Sequence, residues 1–111
     1  MKKFTALYLV PISVLDQMKK ATPEQMKAGI DAWMKWAKKN DKSIVDLGAP
    51  LGKTKRITAA GVGDTRNGIT GYSLVQGDSL ESVAAIFEGH PHLQMQGAWI
   101  ELLECMPIPG M

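Results

Sequence analysis

Cysteine is almost missing from this chain of 111 residues, because Cys105 is the only one. A lone thiol excludes an internal disulfide, and with seven methionines beside it the composition indicates a reducing compartment. Long apolar runs are missing too, and no stretch approaches the roughly 18 residues that a membrane helix needs. The sequence therefore predicts a cytoplasmic protein without membrane contact.

The opening residues, MKKFTALYLVPISVL, combine a charged tip with an apolar run, as secretory signal peptides do. Tyr8 and Pro11 interrupt that run, and the charged residues Asp16, Lys19 and Lys20 follow at once. A cleavage motif of the A-x-A type does not follow it. We therefore interpret this segment as folded, and residues 1–111 as a single domain.

An excess of one charge is also missing, since 13 basic and 11 acidic residues leave a net charge of +2. Nucleic-acid binding requires a clustered basic surface, and the nearest group here is Lys53, Lys55 and Arg56, which fits the solvated face of a hairpin. We expect no nucleic-acid partner. The 45% apolar and 22% charged residues are typical of a globular domain.

Two helices are predicted from capping signals and apolar spacing. Thr22 and Gln25 form a capping box around Pro23, and a helix follows to about Asn40. Asp78 is the expected cap of the second helix, with Glu81 reaching back to it. The predicted buried stripes are Met26, Ile30, Trp33, Met34 and Ala37 in the first helix, with Trp36 at its flank, and Leu80, Val83, Ala84 and Phe87 in the second.

Strands are predicted at residues 3–10, 43–52, 55–63, 69–76 and 98–105, with the second and third as a hairpin. The order strand, helix, strands, helix, strand favours an α+β fold. A ferredoxin-like split βαβ unit with an added strand satisfies it, with an antiparallel sheet and both helices on one face.

The strands carry apolar residues on both faces, although two helices can cover only one. In residues 98–105, Trp99, Glu101 and Leu103 share the face opposite Ile100 and Leu102. An apolar sheet face left bare usually marks an interface. A second copy packed sheet to sheet would cover this face, so we predict a homodimer, with higher assemblies left open.

The strand KFTALYLV, the turn DLGAPLG, the run GYSLVQGDSLESVAAIFEGHPHL and the closing IELLECMPI, with a first helix of matching length, resemble the YCII-related family. This family of small bacterial proteins is also called the DGPF-domain family, and the resemblance covers nearly the whole chain. It implies a dimeric α/β barrel, in which two ferredoxin-like sheets enclose a cleft. Some members look like enzymes with a His-Asp pair there, but the first helix of this chain has no histidine and the Asp-Gly-Pro-Phe sequence is absent.

His90 and His92, in GHPHL, are the only histidines and the first candidates for proton chemistry near neutral pH. Their alternate spacing places both rings on one side of an extended segment. Three roles stay open: a turn or helix cap, a general base in the cleft, or metal ligation. A metal would need a third ligand such as Glu101 or Asp78, and no site of suitable spacing is present, so neither metal nor cofactor is expected.

Two carboxylates complete the candidate catalytic set. Glu101 lies on the face assigned to the cleft, where it could act as acid, base or hydrogen-bond anchor, or else form an ion pair. Asp46 precedes the Gly48 turn and could orient a histidine or shape the turn through its own backbone. The candidate ligand contacts are aromatic: Trp99, Tyr8, Tyr72 and Trp36.

Three functions remain at this point. The leading hypothesis is a homodimer that binds a small molecule in the cleft between subunits. The alternatives are a lyase or isomerase that uses His and carboxylate groups on a small aromatic or carbonyl compound, and a structural accessory subunit.

Overall fold

The computed structural model describes residues 1–110. One strand, two helices, four strands, a third helix and a last strand follow one another along the chain, and short 3-10 helices at Asp41–Ser43 and Pro91–Gln94 lie in two of the connections. The strands are β1 (Lys2–Leu9), β2 (Ile44–Pro50), β3 (Lys55–Thr58), β4 (Gly61–Asp64), β5 (Ile69–Gly77) and β6 (Trp99–Glu104); the helices are α1 (Ile12–Met18), α2 (Pro23–Lys39) and α3 (Leu80–Ala85).

Four strands form the main sheet in the order β2-β5-β1-β6, and every neighbouring pair is antiparallel. The central strand β1 places Leu7 beside Tyr72 of β5 and beside Glu101 of β6. With its helices, this is an α+β fold with an antiparallel sheet, compatible with the ferredoxin-like arrangement. The predicted fold class is confirmed at that level.

The predicted strand at 55–63 is wrong, because the segment folds back on itself. Strands β3 and β4 form a separate hairpin, and β2 pairs with β5 instead. The reversal follows Thr58, whose hydroxyl accepts a hydrogen bond from the N–H of Ala60 at 3.2 Å. Gly61 then adopts a φ of 131°, a conformation that only glycine takes readily.

The helix starts are built as capping boxes. Thr22 Oγ1 accepts from the N–H of Gln25 at 3.1 Å, and Gln25 Oε1 accepts from the N–H of Thr22 at 2.9 Å. This pair confirms the predicted start of α2. In α3 the cap is Ser79 rather than Asp78. Its partner three residues on is Ser82, so Glu81 falls one position short of the reciprocal bond.

The core lies between the helices and one face of the sheet. Its buried side chains are Phe4, Ala6, Tyr8, Trp36, Val75, Val83 and Phe87. Trp36 is 8% exposed and donates its indole N–H to the carbonyl of Ile86 at 2.8 Å, while Trp33 is only half-buried. Trp36, predicted at the flank of the apolar stripe, is therefore the more deeply buried of the two tryptophans, because this hydrogen bond holds its ring in the core.

Several residues of the predicted helix stripes are exposed. From Pro23 to Asp31, every residue of α2 is exposed, including Met26 and Ile30. In α3, Leu80 and Ala84 are exposed, while Ile86 packs against the core in their place. A periodic stripe marks which side of a helix is apolar, but how much of it is covered depends on where the helix ends relative to the sheet.

Within residues 1–110, no helix combines the length and the apolar character that crossing a membrane requires.

Candidate functional site

The sheet divides the predicted site residues into two groups on its opposite sides. One group lies in the core beneath the helices: Tyr8, Trp36, His90 and His92. The other lies on the face without helices, here called the open face: Asp46, Tyr72, Trp99 and Glu101. The two histidines are thus separated from both candidate carboxylates by the sheet itself.

His90 is fully buried in a cage of aromatic rings. Its ring centre lies 4.5 Å from Trp33 and 4.4 Å from Trp36, in edge-to-face contact with both. Tyr8 lies 5.2 Å away. The ring Nδ1 accepts a hydrogen bond from the backbone N–H of His92, which makes His90 the cap of the Pro91–Gln94 helix. One role left open by the sequence was a turn or helix cap, and His90 caps the Pro91–Gln94 helix that follows it.

His92 is 3% exposed and links the same segment to the sheet. Its Nε2 lies 2.8 Å from the carbonyl oxygen of Leu9 in β1 and, in the neutral ring, donates its proton to it. Both histidines are therefore buried and hydrogen-bonded to the backbone, His90 within its own segment and His92 to strand β1.

Burial shifts the pKa of both histidines downward. It lowers the pKa of His90 to about 4, and the nearby His92 adds to this effect. Burial also lowers the pKa of His92, against the opposing effect of the backbone carbonyls of Leu9 and Trp99. Both rings are therefore neutral at pH 7.

A chain of three hydrogen-bonded polar groups crosses the core side of the sheet. The Tyr8 hydroxyl lies 2.8 Å from Ser73 Oγ, and Ser73 donates to the carbonyl of Leu47 at 2.6 Å. Ser73 therefore accepts from Tyr8, and burial raises the pKa of that phenol. Tyr8 serves the core here, and the sequence offered no signal for Ser73, since an isolated serine in a strand looks like any polar residue.

The open face is a broad apolar surface that crosses three strands. Leu7 and Leu9 lie on it from β1, Tyr72 and Leu74 from β5, and Trp99 and Leu103 from β6. Trp99 is 41% and Leu103 47% exposed, whereas the β1 and β5 residues are half-buried by their neighbours. The predicted grouping of Trp99, Glu101 and Leu103 on one face is thus seen in the strand register.

Glu101 stands in the middle of this surface. The indole N–H of Trp99 donates to Glu101 Oε2 at 2.8 Å, and Leu7 is the neighbour across the strand pair. The indole bond holds one carboxylate oxygen and leaves Oε1 as an acceptor for another group. The arrangement offers a negatively charged acceptor within an apolar field.

Asp46 shapes its own turn. Its Oδ1 accepts from the backbone N–H of Gly48 at 2.8 Å, and its side chain is exposed. This is the local turn role considered for Asp46. The structure does not bring it to a histidine, because His90 and His92 lie on the other side of the sheet.

Metal-ligating side chains are not grouped in the described part of the chain. No set of three or more His, Cys, Asp or Glu residues within 1–110 is arranged to hold a metal ion. The free thiol of Cys105 lies 3.4 Å from Thr5 Oγ1 at the exposed end of the open face.

No protein-family model matches this chain and no curated protein matches it, so the resemblance to the YCII-related family stays a prediction.

Proposed function

We propose that this chain is a cytoplasmic homodimer in which two open faces pack together and enclose a pocket for a small ligand. This would be the dimeric α/β barrel that the resemblance to the YCII-related family implies. The observation that carries the proposal is the open face itself, with Trp99 and Leu103 exposed on either side of the carboxylate of Glu101. An apolar surface of this kind usually marks an interface.

The exposed area supports a partner. The protomer exposes 8152 Å². A compact single chain of 12.1 kDa would expose about 6,000 Å². The excess of about 2,100 Å² lies in the range that each subunit of an obligate homodimer buries.

The chemistry of the open face suggests the class of ligand. Leucine and aromatic side chains favour a small, flat, apolar molecule. Glu101 adds a charged acceptor whose free oxygen suits an amine or a hydroxyl group on that molecule. We propose a small aromatic compound with a hydrogen-bond donor.

Acid–base catalysis by the histidines has no support in this geometry. Both rings are buried under the helices, away from the open face, and each ring has a structural hydrogen bond. Binding without turnover is therefore the function that we infer.

Sedimentation and thermal shift test the two parts of the proposal. The wild-type chain should be a dimer at micromolar concentration, and Leu103→Asp should weaken the dimer by about tenfold or more. Benzylamine or phenol at millimolar concentration should raise the melting temperature more than benzoate does, because benzoate places a negative charge near Glu101. A well-folded wild-type protomer that stays single at these concentrations would disprove the proposed assembly.

A further inference from the structure

Strands β3 and β4 form a hairpin that is not part of the four-stranded sheet. All eight of its strand residues are exposed, and Ile57 and Val62 are 77% and 68% exposed. These two residues are paired directly across the hairpin. They therefore form one continuous apolar face, bordered by the ion pair of Lys55 and Asp64.

Helix α2 has a second uncovered apolar surface. Met26, Ile30 and Met34 recur every four residues and are 57%, 61% and 52% exposed. Residues at this spacing lie on one face of a helix.

The protomer is wider and flatter than a compact domain of its length. Its extents are 43 × 42 × 20 Å, and its radius of gyration is 15.6 Å. A compact domain of this length would have a radius of gyration of about 13 Å. Four strands span only about 19 Å, and eight residues of strand only about 27 Å. The remaining width belongs to parts that extend beyond the sheet.

The open face alone is too small to account for the excess surface. The β1–β6 pairing covers six residues, from Phe4 to Leu9. Six residues along four strands give a flat area of about 400 Å², compared with an excess of about 2,100 Å². An isolated two-stranded hairpin is also marginally stable in water, so the hairpin needs a surface to pack on.

We propose that the Ile57–Val62 face and the Met26–Ile30–Met34 stripe are both covered by a second copy of this chain. The β3–β4 hairpin of each protomer is then an arm that reaches onto its partner. This inference rests on the proposed dimer and extends its interface beyond the open face. The excess exposed area is the observation that identifies a second copy as the occupant, since it matches what a stable homodimer buries.

Sedimentation equilibrium of the full chain tests the arm. Ile57→Asp and Ile30→Asp should each raise the dimer dissociation constant by at least about tenfold. The matched controls place the same acid on the opposite face of each element: Arg56→Asp on the hairpin and Ala28→Asp on the helix. Each control should change the dissociation constant by less than about threefold, since exposed charges interact weakly.

The outcomes separate the arm from the open face. If Leu103→Asp dissociates the dimer but Ile57→Asp and Ile30→Asp do not, the arm is disproved while the proposed function stands. If the wild-type chain is a single protomer, both fail.

Hydrogen exchange on the unmodified chain gives a second measure that needs no folded variant. The hairpin amides should exchange more slowly above the dimer dissociation constant than below it. Equal exchange at both concentrations would overturn the arm.

Discussion

The ring Nδ1 of His90 accepts a hydrogen bond from the backbone N–H of His92, 3.0 Å away. Because this nitrogen is an acceptor, the neutral ring of His90 carries its proton on Nε2, and that atom has no hydrogen-bond partner within residues 1–110. The ring is surrounded by Trp33, Trp36 and Tyr8. Protonation would therefore place a charge in a closed aromatic cage.

Stability should fall as the pH is lowered from about 6.5 to about 4. Burial lowers the pKa of His90 from 6.5 to about 4 in the folded chain, so the unfolded chain binds the proton more tightly. The full contribution of neutral His90 is present above pH 6.5, and roughly 3 kcal/mol is lost by pH 4. The lowered pKa of His92 acts in the same direction. Urea unfolding at a fixed protein concentration measures this dependence.

His90→Phe is the control for that dependence. It removes the titrating ring, so the free energy of unfolding should vary less with pH between 6.5 and 4.5 than in the wild type. It also removes the acceptor for the His92 N–H, which should cost about 1–3 kcal/mol at pH 7. A slope equal to that of the wild type would show that other groups cause the pH dependence.

Tyr8→Phe should destabilise the fold by about 1–2 kcal/mol, because it removes the hydroxyl that donates to Ser73 Oγ. Ser73→Ala should cost more, since it leaves both the Tyr8 hydroxyl and the Leu47 carbonyl without their partner. The double variant should lose less than the sum of the single losses. Additive losses in urea unfolding would contradict the coupling between Tyr8 and Ser73. Tyr72→Phe, which removes a phenol hydroxyl on the open face, is the control.

Gly48→Ala should destabilise the fold by about 3 kcal/mol or more. Gly48 has a φ of 85°, and an added Cβ would lie 1.7 Å from the backbone oxygen of Tyr72. This clash can be relieved only if the backbone of β2 or β5 moves. Gly52→Ala is the control, because no atom lies within 4 Å of its added Cβ. Chemical unfolding should give nearly the wild-type value for that variant; similar losses in both would refute a steric cause.

Glu101→Gln should leave stability within about 0.5 kcal/mol, because an amide oxygen still accepts from the Trp99 indole. It should weaken benzylamine binding by about tenfold through loss of the charge-assisted bond. Glu104→Gln is the control on the same strand, where the acid instead faces Lys2 at 3.5 Å. Calorimetric titration measures both variants. An equal loss of benzylamine affinity in both variants, or no loss in Glu101→Gln, would argue against Glu101 as the ligand anchor.

Local sequence patterns predicted much of the backbone. The Thr22–Gln25 capping box, the strand of residues 3–10 and the closing strand all appear where expected, within one or two residues. These features depend on hydrogen bonds and side-chain alternation between near neighbours in the chain. The α3 cap was missed by one position because Asp78 and Ser79 are both good caps, and only the backbone shows which one bonds Ser82.

The roles of the histidines were beyond any local pattern. Two histidine rings in GHPHL are compatible with a helix cap, a general base or a metal ligand. Both rings are buried under α2, and His90 is a helix cap. Trp36 is more deeply buried than Trp33 for a similar reason. Its indole N–H donates to the carbonyl of Ile86, which lies fifty residues away in the chain.

Amino-acid order alone sufficed for the α+β class, the helix start at Thr22 and the two-faced apolar character of the strands, because each depends on spacing within one element. Which face the helices cover, which side of the sheet the histidines occupy, and the separate hairpin at 55–64 depended on the three-dimensional fold. Such features arise from contacts between segments far apart in the chain. The interaction energy of each contact depends on two residues that do not occur in the same local stretch of sequence.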